Sequence, residues 1–130
     1  MSVKAVKKLL LVDDEAGLTE LLKSIFEPRG FVCMTAGDGR EALKIAREKS
    51  PSLIIMDLVM PKMDGIDAYK ALKADKQTRD IPILVYTAQD PEVVIKKGEE
   101  ALDVVDFILK PFDTRSLISI VEKALSKIKP

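Results

Sequence analysis

Residues 9–14 read Leu-Leu-Leu-Val-Asp-Asp, four apolar residues ending on two acids. The run has no polar alternation, so it predicts a short strand covered on both faces. The same form recurs at Phe31 to Thr35, Leu53 to Met56, Ile83 to Tyr86 and Phe107 to Leu109. Helical patterns lie between these runs. Leu18, Leu21, Leu22, Ile25 and Phe26 share one stripe, which Pro28 and Gly30 end. A second helix is expected from Gly39 to Lys49, with Ala42, Ile45 and Ala46 facing inward. A third begins near Asp64, with Asp67 three residues on, and buries Ile66, Tyr69 and Leu72. A fourth has Asp90 as cap and Pro91 at its first position. Gly98 weakens its inner stripe, since a mid-helix glycine costs about 1 kcal/mol relative to alanine. The last follows Asp113 and carries Leu117, Ile120, Val121, Ala124, Leu125 and Ile128 inward.

Strand then helix, five times, predicts an α/β fold: an open parallel sheet with helices on both faces and right-handed crossovers. The 130 residues suit one domain spanning positions 1–130. An eight-fold barrel needs about 250 residues. The expected strand order is the flavodoxin-like 2-1-3-4-5.

Composition narrows the chemistry. The chain is 47% hydrophobic, which supports a proper core. Lys plus Arg and Asp plus Glu both number 21, and that balance argues against direct nucleic-acid binding, which favours a basic surface. There is no histidine and one cysteine. Ser-His-Asp and Cys-His catalysis are therefore excluded, and a zinc or redox-metal site is disfavoured. A metal here must be held by oxygen, which means Mg²⁺, Ca²⁺ or Mn²⁺. Cys33 sits in an apolar stretch and reads as a small buried hydrophobe. The run after Lys4, Lys7 and Lys8 is too short for a signal peptide or a membrane span, so a cytoplasmic protein with no membrane contact is expected.

Open α/β sheets bind ligands beyond the carboxyl ends of their strands. Asp13 and Asp14 follow the first strand, Gly37 and Asp38 the second, Asp57 the third, Thr87 the fourth and Lys110 the fifth. In the expected strand order the first and third strands are neighbours, so Asp13, Asp14 and Asp57 converge. Either of the first two could simply cap the first helix, but one helix uses one cap. Asp57 is different, because no helix begins there and burying a carboxylate is costly. Three carboxylates and one ammonium sum to −2, which raises carboxyl pKa values or recruits a cation. A carboxylate beside Mg²⁺ is suited to forming an aspartyl phosphate. Thr87 and Lys110 can supply donors to phosphoryl oxygens.

These residues resemble the receiver domains of two-component signalling. The chain carries Leu-Leu-Val-Asp-Asp-Glu at 10–15 and Asp-Leu-Val-Met-Pro-Lys-Met-Asp-Gly at 57–65. It also carries Ile-Pro-Ile-Leu-Val-Tyr-Thr-Ala at 81–88 and Asp-Phe-Ile-Leu-Lys-Pro-Phe at 106–112. The four blocks stand in order over nearly the whole chain. The resemblance implies Asp57 as phosphoacceptor, with Mg²⁺ held by Asp13, Asp14, Asp57 and the carbonyl of Val59. It implies Thr87 and Lys110 as phosphoryl-sensing residues, Phe107 as the aromatic switch and a cis bond before Pro111. Val59 and Gln89 stand where water must pass to reach the phosphoryl group, so they are expected to modulate dephosphorylation. The implied partners are a sensor histidine kinase or phosphotransfer protein, and a downstream protein on the face of the fourth helix, last strand and last helix. The implied assembly is a monomer, or a weak dimer on phosphorylation. Such a domain is not a conventional enzyme; it promotes its own phosphorylation and slow dephosphorylation.

Two positions depart from the common pattern: Asp103 stands where many members have Gly, and Phe107 lacks the hydroxyl of the frequent Tyr. Other functions fit less well. Haloacid-dehalogenase-like enzymes place a second Asp two residues after the nucleophile, where this chain has Val59. A flavodoxin-like or dinucleotide-binding module needs a Gly-rich or hydroxyl-rich loop after the first strand, where Asp-Asp-Glu-Ala-Gly would repel a phosphate. A degenerate receiver serving only as an interaction module would not need the complete acidic set.

Overall fold

The computed structural model describes residues 7–57, 65–87, 106–109 and 113–126, with the backbone alone at Thr87 and Asp106–Leu109. Five parallel strands form one sheet in the order β2-β1-β3-β4-β5. They are β1 Lys8–Val12, β2 Val32–Ala36, β3 Leu53–Met56, β4 Ile83–Thr87 and β5 Asp106–Leu109. The described helices are α1 Ala16–Phe26, α2 Gly39–Lys49, α3 Gly65–Ala74 and a C-terminal helix Thr114–Ser126. This is the open parallel sheet that the alternation of apolar runs predicts. The expected helix over 91–102 lies outside the described residues, as do Asp64, Asp90 and Ile128.

Side chains alternate across each strand, and the core divides accordingly. Leu10, Val12, Ile54, Met56 and Val85 pack against α2 and α3 through Ala42, Ala46, Ile66, Tyr69 and Leu72. Leu9, Leu11, Leu53, Ile55, Leu84 and Tyr86 pack against α1 and the C-terminal helix through Leu22, Phe26, Leu117 and Val121. Each fully buried leucine contributes about 1.5–3 kcal/mol. That two-sided core is why the central strands are continuously apolar. Among the described residues, no helix is long and apolar enough to cross a membrane.

Three local expectations need correction. The run at 31–35 is not covered on both faces: β2 is an edge strand, and Val32 is 45% exposed. That strand begins at Val32 because Phe31 leaves the ladder to pack edge-on against Phe26, ring centroids 5.5 Å apart. In α1, Leu21 faces solvent and Thr19 is buried. At about 100° per residue the buried stripe centres on Leu22 and runs towards Phe26 and Thr19, leaving Leu21 at its edge. The Thr19 hydroxyl offsets its burial by donating to the Ala16 carbonyl at 3.0 Å. Cys33 is half-buried rather than buried, and burial, with the Glu27 charge adding, pushes its thiol up to about 11. It is a poor nucleophile at neutral pH.

Candidate functional site

The carboxyl edge of the sheet is built by backbone pairing that runs one residue past the strands. Val12 pairs with Met56. The Asp57 N–H then donates to the Val12 carbonyl at 3.0 Å, and the Asp13 N–H to the Ala36 carbonyl at 3.1 Å. Asp13 and Asp57 thus leave the sheet on adjacent strands, and both are buried, at 2% and 5% exposure. Carboxylates occupy positions this deep only when other groups stabilise them. Asp14, one residue on, is partly exposed.

Neither Asp13 nor Asp14 caps α1. That helix starts behind Glu15, whose side chain makes no capping hydrogen bond. Instead, one Asp13 oxygen, Oδ1, accepts from the Glu15 N–H at 2.9 Å and closes the turn between β1 and α1. The other, Oδ2, accepts from the Tyr86 hydroxyl at 2.8 Å. The ordinary capping role falls to Asp38, which accepts from the Glu41 N–H at 2.9 Å at the start of α2.

The carboxyl group of Asp14 is held above its ordinary value. Burial is the largest cause, followed by its hydrogen bond to Asp13 and the negative charge of Asp13, with the Asp57 charge adding. Asp14 therefore feels both of the other acids, and the three share one electrostatic site. Among the described residues, no three Cys, Asp or Glu side chains make a ready-made metal cage. Mg²⁺ does not require one: it keeps several waters and takes one or two carboxylates, with phosphate oxygens completing the shell. An oxygen-only donor set under mutual repulsion fits that ion.

The backbone places Thr87 at the end of β4, beside β3, with Leu109 of β5 as its register partner. Phe107 is registered with Val85. Val59, Gln89, Lys110 and Pro111 lie outside the described residues. One member of the site escaped the sequence reading. Tyr86 counted only as part of an apolar strand, yet it is fully buried with its hydroxyl on Asp13. Burial, the Asp13 charge, the hydrogen bond to Asp13 and the Asp57 charge keep that phenol far above its ordinary value, so it stays a donor. The available signal was chemical: a tyrosine inside an otherwise apolar run must find a partner for its hydroxyl.

Residues 9–122 match the family model for the response regulator receiver domain. The alkaline phosphatase synthesis transcriptional regulatory protein PhoP of Bacillus subtilis (strain 168) is 40% identical over 121 residues, covering 93% of this chain and 49% of that protein. The chain thus spans about half the length of the curated relatives it matches. The chemotaxis response regulator CheY4 of Vibrio cholerae superposes with a TM-score of 0.81 at 30% identity, covering 92% of this chain and 99% of that one. The receiver domain of sensor histidine kinase PA1611 from Pseudomonas aeruginosa PAO1 shares the fold, with a TM-score of 0.84 at 24% identity over 95% of this chain and 100% of that one. That structure has a magnesium ion coordinated in its active site cleft.

Proposed function

This chain belongs to the response regulator receiver domain family, and on that premise we propose that Asp57 is its phosphoacceptor. The chain is a signalling domain of two-component systems, not a conventional enzyme. The observation that carries the proposal is the backbone register that brings buried Asp57 beside Asp13. A buried carboxylate at the end of an apolar strand has a chemical use that a surface charge does not.

In this reading Asp13, Asp14, Asp57 and the Val59 carbonyl would hold Mg²⁺. When bound, Mg²⁺ would offset the negative charge that the pocket presents to an anionic phosphoryl donor. A carboxylate oxygen of Asp57 attacks phosphorus in line. The P–N bond of a phosphohistidine breaks, and the imidazole leaves with the electron pair and takes up a proton. Thr87 and Lys110 donate to the phosphoryl oxygens of the product. Phe107 repacks and passes the change to the surface of the last strand and C-terminal helix. Val59 and Gln89 set how fast water removes the phosphoryl group. The donor is a sensor histidine kinase or phosphotransfer protein, and the recipient of the signal is a protein rather than nucleic acid. The domain acts in the cytoplasm, as a monomer that at most dimerises weakly when phosphorylated.

Acetyl phosphate with Mg²⁺ tests the acceptor. Intact mass should rise by one phosphoryl group in the wild type, in a base-labile form. Asp57→Asn should show no such adduct. A base-stable adduct, or an equal adduct in Asp57→Asn, would place the chemistry elsewhere.

A further inference from the structure

We propose that Tyr86 is a positioning residue for the metal site, its hydroxyl fixing the Asp13 carboxylate for Mg²⁺ through their buried 2.8 Å hydrogen bond. The inference rests on the reading of the acidic edge as a Mg²⁺ site.

The geometry asks for an explanation beyond packing. Tyr86 lies on β4 and Asp13 follows β1, with β3 between them. Neighbouring strands are about 4.8 Å apart, so the two backbones are separated by about 9.6 Å. The tyrosine side chain spans that gap, crossing the line of β3. Met56 pairs with Val85, so Asp57, one residue on, is level with Tyr86. The ring therefore passes alongside the acceptor's own position to reach the neighbouring acid. An apolar side chain would fill the layer with Leu84, Leu11 and Ile55 equally well. The hydroxyl adds nothing to that packing, and its burial is costly unless bonded.

What it adds is orientation. Both Asp13 oxygens accept a hydrogen bond, Oδ1 from the Glu15 N–H and Oδ2 from Tyr86. Two donors from different elements fix the plane of the carboxylate. Partners behind a metal-site residue set its orientation, and removing one typically weakens metal binding by about 10–100-fold.

The test uses Mg²⁺ alone, without a phosphoryl donor. Calorimetry should show Tyr86→Phe binding Mg²⁺ at least about tenfold more weakly than wild type. Tyr69→Phe, a conservative change in the α3 core, should bind as wild type. A second measurement does not need Tyr86→Phe to fold. The chain has two tyrosines and no tryptophan, so in Tyr69→Phe all tyrosine emission comes from Tyr86. A carboxylate acceptor quenches phenol emission. Mg²⁺ should therefore change that emission, with the midpoint found by calorimetry. A merely structural tyrosine would not respond. Wild-type affinity in folded Tyr86→Phe, or emission indifferent to Mg²⁺ while calorimetry reports binding, would overturn the role of Tyr86 and leave the metal site standing. Absence of Mg²⁺ binding in the wild type would instead overturn the site itself, and this inference with it.

Discussion

Asp75 and Asp14 are the same residue type placed in opposite surroundings. Asp75 follows α3, where donors converge on it. The Gln77 N–H reaches Oδ1 at 2.8 Å, and the Arg47 guanidinium pairs with Oδ2. Its main-chain carbonyl accepts from the Thr78 and Arg79 N–H groups at 3.1 and 2.8 Å. The Gln77 N–H first, and Arg47 next, hold the carboxyl below its ordinary 3.8. Asp14 has burial and two neighbouring carboxylates, and its carboxyl is held above 3.8. One acid fastens a turn. The other is pressed toward its neutral form by its surroundings, a conflict that a bound cation would relieve. A perturbed carboxyl at a ligand-binding edge marks function more often than a satisfied one does.

The contrast can be broken in several ways. The largest effect should be on metal affinity. Asp14→Ala should weaken Mg²⁺ binding more than about tenfold, or 1.4 kcal/mol, by calorimetry. Asp75→Ala should leave it unchanged. Next comes the turn that Asp75 fastens. Thr78 is buried, and its hydroxyl donates to the Leu72 carbonyl at 2.6 Å. Thr78→Val should lower stability by about 1 kcal/mol in urea unfolding, with Mg²⁺ affinity intact. A smaller pair of changes should have opposite signs. In EDTA at pH 7, Asp14→Asn should raise stability by relieving repulsion, and Asp75→Asn should lower it.

Their pH dependence sharpens the point. Because the folded value of Asp75 is depressed, its stabilisation is complete above 3.8 and is lost as pH falls through the lower folded value. Because that of Asp14 is raised, folded Asp14 binds protons more tightly than unfolded. Its destabilisation therefore develops as pH rises from 3.8 through the raised value, and vanishes below 3.8. Urea midpoints measured across the acid range should lose an upward slope in Asp75→Asn and a downward one in Asp14→Asn.

Most of the fold was legible because apolar runs and helical stripes are local signals. The central strands read correctly, being covered on both faces. The edge strand did not, since Val32 and Cys33 look as apolar as Leu53 and Ile54 until neighbours are counted. Leu21 misled in the same way, because a stripe shows a helix face without its rotation. At the site, Asp13 and Asp57 were legible from topology, which carries the ends of β1 and β3 to one edge. The hydrogen bond from Tyr86 was not, because it links residues 73 positions apart across an intervening strand. No periodicity encodes such a contact. Asp38 was noted only as following the second strand, and its capping bond to Glu41 emerges only from the helix start.

The most direct test of the acidic edge as a cation site is urea unfolding of the wild type and Asp14→Asn, each in EDTA and in millimolar Mg²⁺. A ligand that binds only the folded state stabilises it by RT ln(1 + [L]/Kd). In EDTA the variant should be the more stable protein. In Mg²⁺ the wild type should gain stability as the concentration rises and the variant should gain far less, so that the gap closes or reverses. Equal gains in the two proteins, or no gain in the wild type, would contradict the account.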